Sequence, residues 1–228
     1  MIVVLASRFD TAARDLVHRW PSGGARLLTA DDLTTAGWQW LDGAQDNGRA
    51  IVSGQLVNCK AIRGVLTRRP AILPQELTAI AEADRAYVAA EITAFLTAWL
   101  SSLTCPVVNR PRGGCLSGPN WTIERWLMTA ARLGINVRPS RRTVPAQAPS
   151  GGLMSDERIR VTVVGSEIIG IDDQPRANAT RLLAQAAGVE LLDAYFQGRE
   201  LIGATCSPDL SDPSIFEALT RRFNGAGT

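Results

Sequence analysis

Apolar residues recur at spacings of three and four between residues 84 and 103, which is the strongest periodic pattern in the chain. This spacing places them on one face of an α-helix that packs on a sheet or on another helix. The apolar face consists of Val88, Ile92, Phe95, Leu96, Trp99, Leu100 and Leu103. The pattern therefore predicts one long amphipathic helix over residues 84–103.

Strand-like and helix-like segments alternate before that helix. Residues 2–6 form a short apolar run typical of a buried parallel strand, and Asp10 follows as the N-cap of a helix that Pro21 ends. Residues 49–57 and 61–67 show the alternation of apolar and polar positions expected of strands. These segments predict an α/β domain with a mixed sheet.

A strand, a loop and a second helix are predicted after the long helix. The strand covers residues 105–109, and residues 110–120 are rich in turn-forming residues. The helix that follows is ended by Gly134. Its apolar face consists of Ile123, Trp126, Leu127, Ala130 and Leu133.

The C-terminal part predicts two hairpins and two helices. It follows a stretch rich in Pro, Ser, Gly and Ala between residues 140 and 158, which is typical of a linker. Gly188 is placed as the C-cap of the first helix, and Asp212 with Pro213 begins the last one. The strand pairs are residues 158–164 with 167–171, and residues 190–196 with 200–206.

Composition restricts the function. The chain has 228 residues, 46% of them hydrophobic and 20% charged, and a formal net charge of +2. That charge is too small to favour nucleic acid, which requires a concentrated basic surface. No run approaches the roughly 18 apolar residues of a membrane span, and the N-terminal residues lack a basic leader. A cytoplasmic protein without a membrane partner is expected.

Cysteine and histidine patterns give no support for a metal site. The only histidine is His18, and the four cysteines are widely spaced. They are Cys59, Cys105, Cys115 and Cys206. A zinc site requires clustered sulfur or imidazole ligands, so neither a metal nor a catalytic residue is predicted from these residues.

The loop before the second helix is the best candidate for an anion site. Gly113 and Gly114 can present backbone N–H groups, and Arg110 and Arg112 stand beside them with Arg125 in the following helix. The spacing does not match a dinucleotide fingerprint, and no P-loop lysine follows. A plain connection between a strand and a helix is the alternative.

Three tryptophans are candidates for a protein interface. Trp38 and Trp40 lie in a region with little helical or strand periodicity, and Trp121 follows the arginine-containing loop. Large aromatic side chains in loops contribute strongly to binding when a partner desolvates them. We expect at least one of them to contact a partner or a second copy of the chain.

Several blocks of the sequence carry a family resemblance. In the first part they are VLTRRP, DRAYVAAEITAFLTAWLSSL, CPVVNRP and ARLGINVRPS, and RIRVTVVGSEIIG follows residue 157. Together they resemble the RimK-like ATP-grasp ligases, particularly the peptide maturases that form lactam or ester links in ribosomal peptides. The resemblance implies a Rossmann-like pre-ATP-grasp domain over residues 1–138 and a small α+β remnant of the ATP-grasp fold over residues 158–228.

The chain departs from the family where the nucleotide and metal are held. An Asn-Lys pair opens a helix in the family, whereas this chain has Asn120, a further candidate anion ligand, followed by Trp121. The family's lysine-bearing strands and flap have no counterpart in the linker 139–157, and its Glu-x-Asn metal ligands fall at residues 203–205, which read Gly-Ala-Thr. Arg160 matches an arginine that lies close to the transferred phosphate in related ligases.

These departures predict a non-catalytic protein without a cofactor. Phosphoryl transfer requires cations and magnesium to neutralise charge on phosphate oxygens, and the only lysine is Lys60, far from the linker. The expected partner is an enzyme or a precursor peptide of a peptide-modification or natural-product pathway, and homo-oligomerisation is a second use of the same surfaces. The alternatives are a divergent ligase that uses ATP and Mg²⁺, and a receptor for an acidic metabolite.

Overall fold

The computed structural model describes residues 1–21, 23–40, 48–139, 158–170 and 173–225. All but the first residue of the predicted linker 139–157 lie outside these ranges. The helices and strands are, in chain order, β1 (Ile2–Leu5), α1 (Thr11–Arg19), β2 (Ala25–Leu28), α2 (Ala30–Leu33), β3 (Arg49–Val52), β4 (Gln55–Asn58), β5 (Gly64–Thr67), α3 (Arg85–Ser102), β6 (Val107–Val108), α4 (Ile123–Arg132), β7 (Arg158–Val164), β8 (Glu167–Ile169), α5 (Gln174–Ala187), β9 (Leu191–Gln197), β10 (Glu200–Thr205) and α6 (Pro213–Asn224).

The N-terminal lobe is built on a four-stranded parallel sheet in the order β2-β1-β5-β6. The expected mixed sheet is wrong, because β3 and β4 form a separate antiparallel hairpin. Ser53 and Gly54 form the two-residue turn of this hairpin, both with positive φ. Such a turn pairs β3 with β4, while β5 pairs with β1 in the parallel sheet.

The parallel sheet is covered on both faces. Val3, Leu5 and Val65 pack on the same core as α3, whose buried residues include Trp99 and Leu100. The alternate positions of the same strands point to the opposite face, as the period of a strand requires. There they share a second core with α1 and α6.

Two predicted helices are confirmed, the one that Asp10 caps and the long amphipathic helix. The side chain of Asp10 accepts a hydrogen bond from the backbone N–H of Ala13 at 2.9 Å, and α1 begins at the next residue. The predicted long helix is α3, which begins and ends one residue inside the expected range. Local capping chemistry and helical periodicity were therefore sufficient to locate both helices.

Helix α4 begins later than a helix initiated by Asn120 would. Its N-cap is Thr122, whose hydroxyl accepts a hydrogen bond from the backbone N–H of Arg125. The buried face is narrower than predicted, because Ile123 is 56% exposed and Leu133 is 38% exposed. Both residues lie at the ends of the helix, beyond the part that packs on the second sheet.

The C-terminal lobe is an antiparallel sheet in the order β10-β9-β7-β8. Both predicted hairpins are present, and Gly188 closes α5 in the left-handed conformation at φ +61°. Asp212 caps α6 by accepting from the backbone N–H of Ser214 at 3.0 Å. In the described ranges, no helix combines the length and apolar character needed to cross a membrane.

The two lobes share one hydrophobic core although they come from different parts of the chain. Helix α6 belongs to the C-terminal segment but packs on the N-terminal sheet, where Ile215, Leu219 and Phe223 meet Val4 and Leu66. Gly64 lies directly under the ring of Phe223, and a Cβ at this position would collide with the ring. The close approach of α6 to β5 therefore depends on glycine at residue 64.

Asn109 joins the two lobes through its side-chain amide. Its Nδ2 donates to the backbone oxygens of Leu191 at 2.7 Å and Cys206 at 3.4 Å. Its Oδ1 accepts from the backbone N–H groups of Glu190 at 3.0 Å and Leu191 at 2.9 Å. Asn109 is 2% exposed and has φ +56°, a conformation that asparagine tolerates better than most residues.

We expect Asn109→Ala to lower the free energy of unfolding by about 2–4 kcal/mol, because it leaves buried backbone groups of the second lobe without partners. Asn109→Gly also removes the amide but relieves the positive φ, so it should be less destabilising than alanine by about 1 kcal/mol. Urea denaturation followed by tryptophan fluorescence measures both. An alanine variant as stable as the wild type would contradict this role of the amide.

We expect Gly64→Ala to destabilise the protein by about 1–3 kcal/mol, because the added methyl group displaces Phe223 and overpacks the shared core. Gly203→Ala is the matched control, since a Cβ added there would have no atom within 4 Å and its φ is not positive. Adding Phe223→Leu to Gly64→Ala should restore part of the loss by making room. Thermal denaturation of the three variants and the wild type tests this packing.

Candidate functional site

A cleft with a volume of about 850 Å³ lies between the two lobes. We call it the interlobe cleft. Its charged wall residues are Arg63, Arg110, Arg112, Arg222 and Glu190. Arg63 precedes β5, residues 104–106 precede β6, and Asn109 follows it, so the cleft begins at the amino edge of the parallel sheet and runs along its edge strand β6. Open α/β sheets more often bind ligands at the carboxyl edge.

Arg110, predicted as an anion ligand, is held at the C-terminal end of α3. Its guanidinium donates to the backbone oxygens of Leu100 and Leu103, both at 2.9 Å, and to that of Cys105 at 3.1 Å. A cation at this end is favoured by the helix dipole and satisfies carbonyls that lack helical partners. Because backbone carbonyl groups carry no net charge, Arg110 keeps its positive charge at a fixed position in the cleft wall.

Arg112 lies on the opposite wall against the C-terminal end of α5. Its guanidinium lies so close to Gly188 that a Cβ there would collide with it. Gly113 and Gly114, both with positive φ, form the tight turn that brings Arg112 and Cys115 together through two backbone hydrogen bonds of 3.0 Å. These glycines shape the loop, and their backbone conformation holds Arg112 at the cleft.

Two arginines in the cleft have no partner in the described part of the protein. Neither the guanidinium of Arg63 nor that of Arg112 forms a hydrogen bond or an ion pair there, and both side chains are exposed. Arg222 differs, because it binds both carboxylate oxygens of Glu190 at 2.9 Å. The hydrogen bonds to Glu190 raise the pKa of Arg222. The remaining formal charge of the cleft is therefore positive.

The other predicted anion ligands lie away from the interlobe cleft. Asn120 lines a separate cavity of about 120 Å³ together with Trp121. The guanidinium of Arg125 stacks over the ring of Trp121 at 5.0 Å. Arg160 donates to Asp212 at 2.9 Å, which links β7 to the start of α6. The structure therefore brings Arg110 and Arg112 to one cleft and places the remaining three residues elsewhere.

The predicted interface tryptophans are half-buried in aromatic clusters. Trp38 contacts the rings of Phe95 and Trp99 edge-on at 5.4 Å, and its indole N–H donates to the backbone oxygen of Asp32. Trp40 donates to the hydroxyl of Ser102 at 3.1 Å. Trp121 packs on Trp126 with ring centroids 4.6 Å apart. Part of each ring stays accessible, so their use as interface residues stays a prediction.

Asp193 is a buried carboxylate that the sequence analysis did not single out. It is fully buried in the middle of β9, where it accepts hydrogen bonds from Thr162 at 2.5 Å and Tyr195 at 3.3 Å. Burial raises the pKa of this carboxyl, and the Thr162 hydrogen bond, the charge of Arg160 and the Tyr195 hydrogen bond offset only part of the effect. An aspartate inside the apolar run LLDAYF was the available signal.

Ion pairs occupy the arginines at the carboxyl edge of the first sheet. Arg68 pairs with Asp10 at 2.7 Å and also donates to the backbone oxygen of Pro208 in the second lobe. Arg69 pairs with Glu76, and both side chains are buried. Burial raises the pKa of Glu76, but the hydrogen bonds from Arg69 and Ser7 outweigh it and the net shift is downward.

Metal-ligating side chains are scattered in the described ranges, where no group of three or more His, Cys, Asp or Glu residues is placed to share an ion. Asp193 has Thr162 and Tyr195 as its side-chain partners, and its neighbours on the adjacent strands are Thr162 of β7 and Thr205 of β10.

Comparison with solved structures shows the fold. The chain is similar to the ATP-grasp ligase PsnB complexed with a minimal precursor, with 13% identity, a TM-score of 0.70 and coverage of 100% of this chain and 99% of that chain. Macrocyclase MdnC from Microcystis aeruginosa MRC, bound with precursor peptide MdnA, is 12% identical at a TM-score of 0.68 and coverage of 99% and 100%. A RiPP-associated ATP-grasp ligase from Chryseobacterium gregarium, in complex with ADP and a leader and core peptide, is 10% identical at a TM-score of 0.60 and coverage of 100% and 97%.

These likenesses confirm the predicted ATP-grasp type of α/β fold. No family model and no curated protein sequence matches the chain. At identities of 10–14%, the shared property is the fold, and function requires its own argument.

We expect Asp193→Asn to become more stable relative to the wild type as pH rises from 4 to 8. The pKa of Asp193 is higher in the folded state than in the unfolded state, where it is about 4. The wild type therefore loses stability as pH rises from the unfolded-state pKa through the folded-state pKa. Asparagine keeps the partners and cannot ionise. Urea midpoints measured across this pH range test the trend.

Asp209→Asn is the control with the opposite sign. The backbone and side-chain hydrogen bonds from Ser211 lower the pKa of the exposed Asp209, so its contribution is present above the unfolded pKa and is lost as pH falls. The Asp209 variant should therefore lose stability relative to the wild type as pH rises. Parallel trends for the two variants would show that burial does not govern the titration of Asp193.

Proposed function

We propose that this chain binds a peptide as a non-catalytic component of a peptide-modification pathway. The observation that carries the proposal is an end-to-end likeness to three ATP-grasp ligases, each of which is described in complex with a precursor or with a leader and core peptide. A shared fold does not transfer function by itself. The residues of this chain must therefore support the choice between binding and ligation.

The sequence at the family's metal position supports binding without ligation. Residues 203–205 lie on β10, where Ala204 faces Ala194 and Thr205 faces Asp193 across the sheet. None of the three carries a carboxylate. Removing one electrostatic catalytic group typically costs about 100- to 1,000-fold in rate, so a chain without several of them is expected to transfer phosphoryl groups poorly.

The position of the family's lysine supports the same conclusion. Trp121 stands there, and its ring contacts both the ring of Trp126 and the guanidinium of Arg125. An indole carries no charge that can bind a phosphate oxygen. The local environment at Trp121 is therefore suited to packing or to contact with an apolar side chain of a partner.

A receptor for an acidic metabolite is the second candidate function, and the interlobe cleft favours it. Arg63, Arg110 and Arg112 leave a positive charge in a space of about 850 Å³, which is large enough for a small molecule. The ligand of such a receptor is a free small acid, whereas the ligand in the main proposal is a peptide. Binding measurements with free small acids therefore distinguish the two functions.

We expect the full chain to show no heat and no thermal shift with millimolar ATP and Mg²⁺, because the positions compared with the family lack its phosphate and metal ligands. The same immobilised chain should enrich a sequence motif from a random-peptide display library without nucleotide. Calorimetry and sequencing of the selected peptides provide the two measurements.

Two results would contradict the proposed function. Saturable binding of ATP with Mg²⁺, followed by ADP release that depends on an enriched peptide, would identify a divergent ligase. A library that yields no motif on a chain shown to be folded by circular dichroism would remove the peptide-binding proposal.

A further inference from the structure

We infer that the interlobe cleft binds an acidic segment of the peptide, with Asp or Glu carboxylates contacting Arg63 and Arg112. This inference rests on the proposed function, because it assigns a location and a side-chain class to the peptide that the chain binds. It departs from the carboxyl-edge location that the fold class favours. The charges, the positions of the arginines and the lining of the cleft support it.

The charges in the cleft are unbalanced in favour of cations. Arg222 and Glu190 neutralise each other through two hydrogen bonds of 2.9 Å. Arg63, Arg110 and Arg112 then remain on the walls, and the described lining offers no second carboxylate. Several like charges facing one space repel one another, and a bound anion relieves this repulsion.

Arg63 and Arg112 of the interlobe cleft differ from the arginines at the carboxyl edge of the sheet, because only the latter form ion pairs among the described residues. At the carboxyl edge of the sheet, Arg68 and Arg69 are engaged by Asp10 and Glu76. In the interlobe cleft, the guanidinium groups of Arg63 and Arg112 have no hydrogen-bond partner in the described ranges. Arginine binds carboxylates through two parallel hydrogen bonds, which makes these two groups suitable direct ligands.

The backbone positions two of the cleft arginines to different degrees. The turn at Gly113 and Gly114 sets the backbone of Arg112, whose guanidinium lies against Gly188. Arg110 is fixed by the carbonyls at the end of α3. Positioning of this kind reduces the conformational entropy that side chains lose when a ligand binds.

The lining favours a peptide segment over a compact free anion. Pro106 contributes apolar surface beside the arginines, and the edges of the otherwise buried Phe223 and Val107 also line the cleft. A small polyanion gains nothing from these apolar groups. A peptide that combines carboxylates with apolar side chains can use both parts of a cleft of about 850 Å³.

The test compares random-peptide display on the full-length wild type and on Arg63→Gln/Arg112→Gln. We expect peptides enriched on the wild type to carry an excess of Asp and Glu, and a fluorescein-labelled enriched peptide to bind the double variant roughly tenfold or more weakly. Its affinity for the wild type should fall with salt. Arg112→Lys should restore part of the binding because the charge is kept.

The matched control is Arg132→Gln/Arg199→Gln, which removes the same charge from exposed positions outside the cleft lining. It should bind the labelled peptide as the wild type does. Circular dichroism and thermal denaturation of both double variants confirm that they are folded. Equal losses in the two variants would show a general charge effect and overturn the assignment to the cleft.

The remaining outcomes separate this inference from the function on which it rests. Enriched peptides without an acidic excess, or peptides that bind the Arg63/Arg112 variant normally, would overturn the cleft assignment and leave peptide binding intact. Citrate or inorganic phosphate that binds the cleft as tightly as the peptide would identify a free anion as the ligand and overturn it as well. A library without any enriched motif would remove both proposals.

Discussion

The hydrogen bonds of the Asn109 side chain are the constraint on which the two-lobe arrangement depends. One amide contacts the backbone of Glu190, Leu191 and Cys206, and so fixes the end of β6 against the beginning of β9 and the end of the second hairpin. The same residue lines the interlobe cleft. A change in these hydrogen bonds would therefore alter both the stability of the protein and the distance between the cleft walls.

Elements encoded by neighbouring residues were predictable from the sequence, and their assembly was less so. The caps at Asp10, Gly188 and Asp212 depend on local backbone conformation, so their patterns located α1, α5 and α6. The separation of the hairpin β3-β4 from the parallel sheet depends on which strands meet in space. The return of α6 to the N-terminal sheet likewise depends on the fit of Phe223 over Gly64, which no local pattern records.

The residues of the candidate site were also predictable only where they lie close together in the sequence. Arg110 and Arg112 were accessible to sequence reasoning because they stand in one loop of turn-forming residues. Arg63 and Arg222 join them only after the lobes pack together, since each lies far away in the sequence. Asp193 carried a local signal, because an acidic residue inside an apolar strand requires internal partners, and Thr162 and Tyr195 supply them.

Some arginines bind groups of the chain itself and others do not, and this difference explains how the protein can hold its lobes together and still attract an anion. Around residues 208–212, Arg68 and Arg160 donate to groups of the chain itself and connect the first sheet, β7 and α6. Their charge is used to stabilise the assembly. In the interlobe cleft, Arg110 keeps its charge because its partners are carbonyls, and Arg63 and Arg112 add charge that the described residues do not neutralise. The electrostatic capacity for a ligand is therefore concentrated along β6 between the lobes, where Asn109 helps to hold the two walls in place.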